Sequence, residues 1–292
     1  MRQWLYQRIA RWLTREIAPA TRMYSNFDRL CFEVEPADAL LVEGRSRVSQ
    51  VIKTVTHSVW THSALYVGRL VDIDDPALRA QLERHYAGDP AEQLVIEAQL
   101  GDGVIVAPLA KYRNEHLRIC RPIGLSRSDT LGVLRAAASQ LGKGYDVRQL
   151  LDLARFFLPW SLMPRRWRSS LFERTAGEAT RNVCSSMMAE AFAAVQFPVR
   201  PFIRERADGS RVLYKRNPKL FTPRDFDYSP YFDVVKYPYL DRGDIEAYRQ
   251  LNWGDEHIIY NDEDEDEFTV PDAQTADGTG DTSRNERDAK TY

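Results

Sequence analysis

The sequence predicts an α+β domain built on an antiparallel sheet, and three observations carry that prediction. Short β-type runs bounded by turn residues fill residues 39–120, and helical periodicity takes over between Ser126 and Phe197. Strands gathered ahead of helices, rather than alternating with them, argue against a doubly wound parallel sheet. The glycine pair Gly142-Lys143-Gly144 lacks the GxxxxGK[ST] spacing of a phosphate loop, so a nucleotide-binding crossover is not indicated either.

The elements follow from local pattern. Residues 3–17 place Leu5, Ile9, Trp12, Leu13 and Ile17 on one helical face and Arg8, Arg11 and Arg15 on the other; Trp4 and Glu16 interrupt the pattern and Pro19 ends it. This helix either lies on an anionic membrane surface through residues 1–18 or docks on its own domain. Residues 39–42 form a strand stopped by Gly44, residues 46–55 a helix, and residues 62–68 a strand ended by Gly68. Residues 74–88 read as an inserted surface helix, residues 94–98 as a strand, and Gly101-Asp102-Gly103 as a tight turn leading into strands at 103–107 and 116–120. Ser126, with Asp129 three residues on, opens a helix running to about residue 141. Helices at 147–158 and 182–197 follow, separated by a basic loop containing Pro164-Arg-Arg-Trp-Arg168, and a strand is expected at 232–236.

Composition bounds the class. The chain has 292 residues, 43% of them apolar, which excludes a wholly disordered polymer, and no apolar run reaches the length of a membrane span. The net charge of −2 averages unlike parts: residues 261–292 hold eleven acids and three bases, a net of −8, which leaves +6 on residues 1–260. Three parts are therefore expected: a basic amphipathic segment at 1–30, one domain at 31–260 and a disordered acidic tail at 261–292. Three sparse cysteines without a CxxC pair argue against a disulfide framework and a structural zinc site and favour a reducing compartment. The charged N-terminus lacks the apolar stretch of a secretion signal. Arginine outnumbers lysine 33 to 7, but scattered along the chain, so nucleic-acid binding is not expected.

Three residues stand out chemically. Cys184 falls in the first turn of a predicted helix after Asn182, a suitable N-cap; free N–H groups there favour a thiolate. Cys184 shares its face with Met188, Ala191 and Val195, so the thiol points inward at the sheet. His62 opens a strand after a loop, where a side chain faces a cleft, with His57 nearby as a competitor. Glu97 interrupts the apolar strand Leu94-Val-Ile-Glu97-Ala98, and a carboxylate buried there needs a partner. Read alone, each also fits a structural role: a core cysteine, a strand-end histidine, a carboxylate on a solvent face. Cys31 and Cys120 fall in strand-like segments without such a setting. No HExxH or HxxxH pattern is present, and no metal or organic cofactor is called for.

Taken in order, the motifs are more specific. Asp38-Ala-Leu-Leu-Val-Glu-Gly44, Trp60-Thr-His62-Ser-Ala-Leu-Tyr-Val-Gly68, Val95-Ile-Glu97-Ala98 with Gly103-Val104, Gly144-Tyr145-Asp146, Asn182-Val-Cys184-Ser-Ser186, and Thr222-Pro-Arg-Asp225 with Ser229-Pro230 occur in that sequence. Together, over roughly residues 36–235, they resemble the permuted papain-like amidases of the YiiX/YaeF type in the NlpC-like cysteine peptidase superfamily. The resemblance implies a circularly permuted papain-like fold in which the histidine strand precedes the cysteine helix. It implies Cys184 as nucleophile, His62 as base, Glu97 as third polar residue, and Tyr145 lining the oxyanion region. It implies hydrolysis of amide bonds in small peptides or cell-wall-type fragments. The charged 69–92 insertion, the basic 159–180 segment and the amphipathic helix where a secretion signal often stands depart from the family pattern, and a cytoplasmic site, peripheral at the inner membrane face, fits them. Two other readings are a thiol acyltransferase or lipid-acting hydrolase at a membrane surface, and a non-catalytic membrane or partner adaptor.

Overall fold

The computed structural model describes residues 26–99, 102–143 and 184–238, with short pieces at 15, 250–251, 258–260 and 267–269. The predicted helices at 3–17 and 147–158, the basic 159–180 loop, Tyr145, Asn182 and most of the acidic tail lie outside these residues. The chain divides into two compact units, Met1–Tyr239 and Leu240–Tyr292.

The first unit opens with helix α1, Phe27–Glu33, whose start is fixed by Asn26 accepting the Arg29 N–H at 3.1 Å. The boundary expected at 30/31 therefore runs through a helix, and Cys31 is helical rather than in a strand. Strand β1, Ala39–Glu43, leads to helix α2, Arg47–Thr56, capped by Ser46, and then to β2, His62–Arg69. Helix α3, Pro76–Glu83, is shorter than its predicted span because Asp75 caps it and Pro76 fills its first turn. Strands β3, Gln93–Gln99, β4, Gly103–Pro108, and β5, His116–Pro122, follow, and then helix α4, Arg127–Ala138, capped by Ser126. Helix α5, Cys184–Ala194, precedes an exposed hairpin of β6, Phe202–Glu205, and β7, Arg211–Tyr214. A short helix α6, Pro223–Asp227, and strand β8, Phe232–Val235, complete the unit.

Among the described residues six strands form one antiparallel sheet in the order β4-β3-β2-β1-β5-β8. The architecture is α+β, as the gathered strands predict. Alternation along each strand sends side chains to two covered faces. One carries Leu41, Leu65, Val67, Leu94 and Ile96 against Leu78 and Leu82 of α3, Val133 and Ala137 of α4, and Met188 and Phe192 of α5. The other carries Leu40, Val42, Ala64, Tyr66 and Val95 against Phe27 and Leu30 of α1.

Phe192 is the hub where α5 meets α6 and β8. It is fully buried, lies edge-on to Phe232 at 5.3 Å, and stands 5.4 Å from Phe197 and 6.2 Å from Phe226. The Thr222–Asp225 pair noted in the sequence is a capping box for α6, and the buried Asp225 carboxylate also binds Arg200 and Arg216. Within the second unit, Ile258–Tyr260 (β9) pairs antiparallel with Glu267–Thr269 (β10), which places a short strand inside the segment expected to be disordered.

Phe192→Ala should lower stability by about 3–5 kcal/mol, read from the shift of the denaturant unfolding curve, because the ring leaves a cavity that three phenylalanines line.

Candidate active site

The site begins with how β2 is anchored. Just before it, Trp60 Nε1 donates to Asp227 Oδ2 at 3.1 Å, and Arg118 stacks on the indole. Thr61 N–H donates to the Val42 carbonyl at 3.0 Å, and the Gly44 N–H donates to the Thr61 hydroxyl at 2.9 Å. A Cβ on Gly44 would come within 2.4 Å of Ser49 Oγ and 2.9 Å of Thr61 Oγ1, so the glycine keeps this turn tight. The first residue of β2, His62, is thus held by its pairing with Val42 and by the contacts of Thr61 just before it rather than left to a loop.

Register then brings the carboxylate alongside. Ala64 of β2 pairs with Glu97 of β3, and His62, two residues earlier, shares that face and lies diagonal to Glu97. His62 Nε2 meets Glu97 Oε2 at 2.7 Å. The Tyr112 hydroxyl donates to the same oxygen at 2.6 Å, and the Lys111 ammonium pairs with Glu97 Oε1. Lys111 also donates to Gln99 Oε1 at 3.3 Å. Glu97 is 1% exposed: the turn Leu109–Tyr112 packs over this part of β3, on the face that alternation alone would have left solvated.

Cys184 is the first residue of α5, is buried, and lies close enough to His62 for the charge of each to act on the other. Since Nε2 is taken by Glu97, Nδ1 is the ring nitrogen turned to the thiol. Burial pushes the Cys184 thiol up, but the imidazolium charge and its hydrogen bond outweigh it, with help from Ser63, and hold it at about 7. Burial pulls His62 down, but the thiolate and then the Glu97 carboxylate outweigh it and raise it to about 10. Burial raises Glu97, yet His62 and Lys111 bring it to about 2. Burial and the adjacent carboxylate push Tyr112 well above the ordinary phenol range, so it remains a neutral donor.

The structure therefore brings Cys184, His62 and Glu97 together, while Tyr145 lies outside the described residues. His57 is not part of the cluster: it is exposed and ends α2 with φ of 49°. Cys120 is buried on β5, where desolvation lifts its thiol to about 12, and burial also raises Cys31 on α1. Sequence reading missed Lys111 and Tyr112. Both sit in the 3₁₀ turn Leu109–Tyr112 after β4, where no periodicity marks them. Among the described residues no group of three or more His, Cys, Asp and Glu side chains is placed to hold a metal ion, and no helix is long and apolar enough to cross a membrane.

No family model matches the chain, and no curated protein does. Among solved structures, it is similar to the crystal structure of metalloprotein yiiX from Escherichia coli O157:H7, at 17% identity and a TM-score of 0.41. That similarity covers 70% of this chain and 98% of the other.

The paired shifts define a window. Below about pH 7 the sulfur regains its proton, and above about pH 10 the imidazolium loses its own, so the ion pair exists between these limits. Alkylation of Cys184 by iodoacetamide, followed by peptide mass spectrometry, should therefore rise through a midpoint near pH 7. In His62→Ala, where burial acts without the cation, the midpoint should move above 9, the ordinary thiol value. Lys111→Met would leave the Glu97 charge less compensated, so NMR titration of the His62 ring should show its pKa raised by roughly one unit, with Lys111→Arg close to wild type.

Proposed function

We propose that the protein is a cysteine hydrolase that cleaves amide bonds of small peptides or cell-wall-type fragments through Cys184, His62 and Glu97. The observation that carries this reading is the chain of contacts from a buried carboxylate through an imidazole to a thiol at a helix N-terminus. That is the arrangement nucleophilic acyl transfer requires. The resemblance of the six motifs to permuted papain-like amidases supports the same chemistry and the substrate class. The order in the chain, histidine strand before cysteine helix, is the order a permuted papain-like fold has. A cytoplasmic location, peripheral at the membrane through residues 1–18, belongs to the same proposal.

The steps follow from the residues. The Cys184 proton passes to His62 Nδ1, giving thiolate and imidazolium. The thiolate attacks the scissile carbonyl carbon, and its oxygen takes up the negative charge. As that intermediate collapses, His62 gives its proton to the departing amine and a thioester to Cys184 remains. Water then attacks the thioester, passing a proton to His62, and the acid leaves as the thiol re-forms. Glu97 keeps Nε2 as the donor side of the ring and balances the imidazolium; it does not itself take the proton. In this proposal the backbone N–H of Cys184 and the Tyr145 hydroxyl receive the oxyanion, and each such donor is worth about 10²–10³ in rate.

A screen of amide and ester substrates should yield turnover that Cys184→Ala and His62→Ala abolish while the protein stays folded, as circular dichroism checks. Glu97→Gln should retain a residue of activity, reduced by about 10²–10⁴. Labelling by a substrate-like electrophile on Cys31 or Cys120 in place of Cys184 would sink the reading.

A further inference from the structure

Two buried hydroxyls beside the thiol have no part in the steps above. Ser63 follows His62 on β2, and alternation turns it to the opposite face, the one on which α5 packs. It is wholly shielded from solvent, and Ser185, the second residue of α5, is 1% exposed. Their oxygens lie 3.4 Å apart, and Ser185 Oγ lies 3.8 Å from the Cys184 sulfur. Ser63 thus meets the sulfur's neighbour directly, and its hydroxyl and backbone N–H are among the groups that lower the Cys184 thiol. An apolar face between sheet and helix is an unfavourable place for two hydroxyls unless both are partnered, and an anionic sulfur is the strongest acceptor within their reach.

We infer that Ser63 is a second holder of the Cys184 thiolate, donating its hydroxyl to the sulfur from the side opposite His62, with Ser185 steering that hydroxyl. The sulfur then stands between two donors, an imidazolium on one face of β2 and a hydroxyl on the other. One strand supplies both because consecutive residues point to opposite faces. The hydroxyl lowers the proton affinity of the sulfur and, by the same interaction, lowers the intrinsic reactivity of the thiolate. The inference rests on Cys184 being the nucleophile.

The test is the pH profile of Cys184 reacting with a small aromatic disulfide in the full chain, with the modified peptide assigned by mass spectrometry. Wild type should show a midpoint near pH 7. Ser63→Ala should move it up by about one unit, as expected for one lost charge-assisted donor. The limiting rate at high pH should rise by about threefold, because a more basic thiolate attacks faster. Damage to the site would lower that rate, so midpoint and limit together separate the two. Ser63→Thr, which keeps the hydroxyl, should restore the wild-type profile, and Ser185→Ala should shift the midpoint in the same direction by less. Identical profiles for wild type, Ser63→Ala and Ser185→Ala would overturn the inference and leave the assignment of Cys184 standing. A wild-type midpoint at or above the ordinary thiol value would instead remove the nucleophile reading.

Discussion

The buried Glu97 carboxylate is the charge around which the site is organised. A carboxylate at 1% exposure is tolerable only with partners, and it has three: His62, Tyr112 and Lys111. Two of these come from a turn after β4 and one from the start of β2, so three consecutive strands of the sheet, β2 to β4, are needed to satisfy one side chain. Its division of labour is legible in the contacts. One oxygen serves the imidazole and the phenol, the other the ammonium, so the imidazole meets an oriented and partly neutralised carboxylate. The larger share of the imidazolium's balance then falls to the Cys184 thiolate.

That balance sets the electrostatic character of the cleft. Taken alone, burial would leave a neutral thiol, a neutral imidazole and a protonated acid, none of them suited to acyl transfer. Their mutual contacts reverse all three directions. At Cys120 burial prevails over the nearby Arg118 charge and lifts the thiol to about 12. The difference between the two cysteines thus lies in what faces the sulfur, with depth in the protein common to both.

Much of the fold was legible in the sequence. The strands at 39–43, 62–69, 93–99, 103–108 and 116–122 follow apolar runs with turn residues at their ends, and the caps Ser46, Asp75 and Ser126 mark helix starts. The elements missed have a common physical cause. Helix α1 has seven residues and α6 five, too short for periodicity to build up. The β6–β7 hairpin leaves Phe202, Ile203, Leu213 and Tyr214 exposed, so no alternation of burial announces it. Missing the turn Leu109–Tyr112 had a further effect: without Lys111 and Tyr112 over it, Glu97 reads as a solvent-facing residue. His62, Cys184 and Glu97 could be picked from residue type and motif order. Lys111, Tyr112 and the Ser63–Ser185 contact depend on three-dimensional convergence that no spacing records.

The sheet order has a mechanical consequence. Strand β2 lies between β1 and β3, so the backbone around His62 is pinned from both sides. Helix α5 is held differently, by interdigitated side chains such as Phe192 and by hydroxyl contacts at its first turn. The base is therefore fixed by backbone pairing on both sides, and the nucleophile by side-chain packing. Side-chain packing is what core substitutions in α5 loosen first, so the sulfur-to-ring distance depends on residues such as Phe192 that never touch the site.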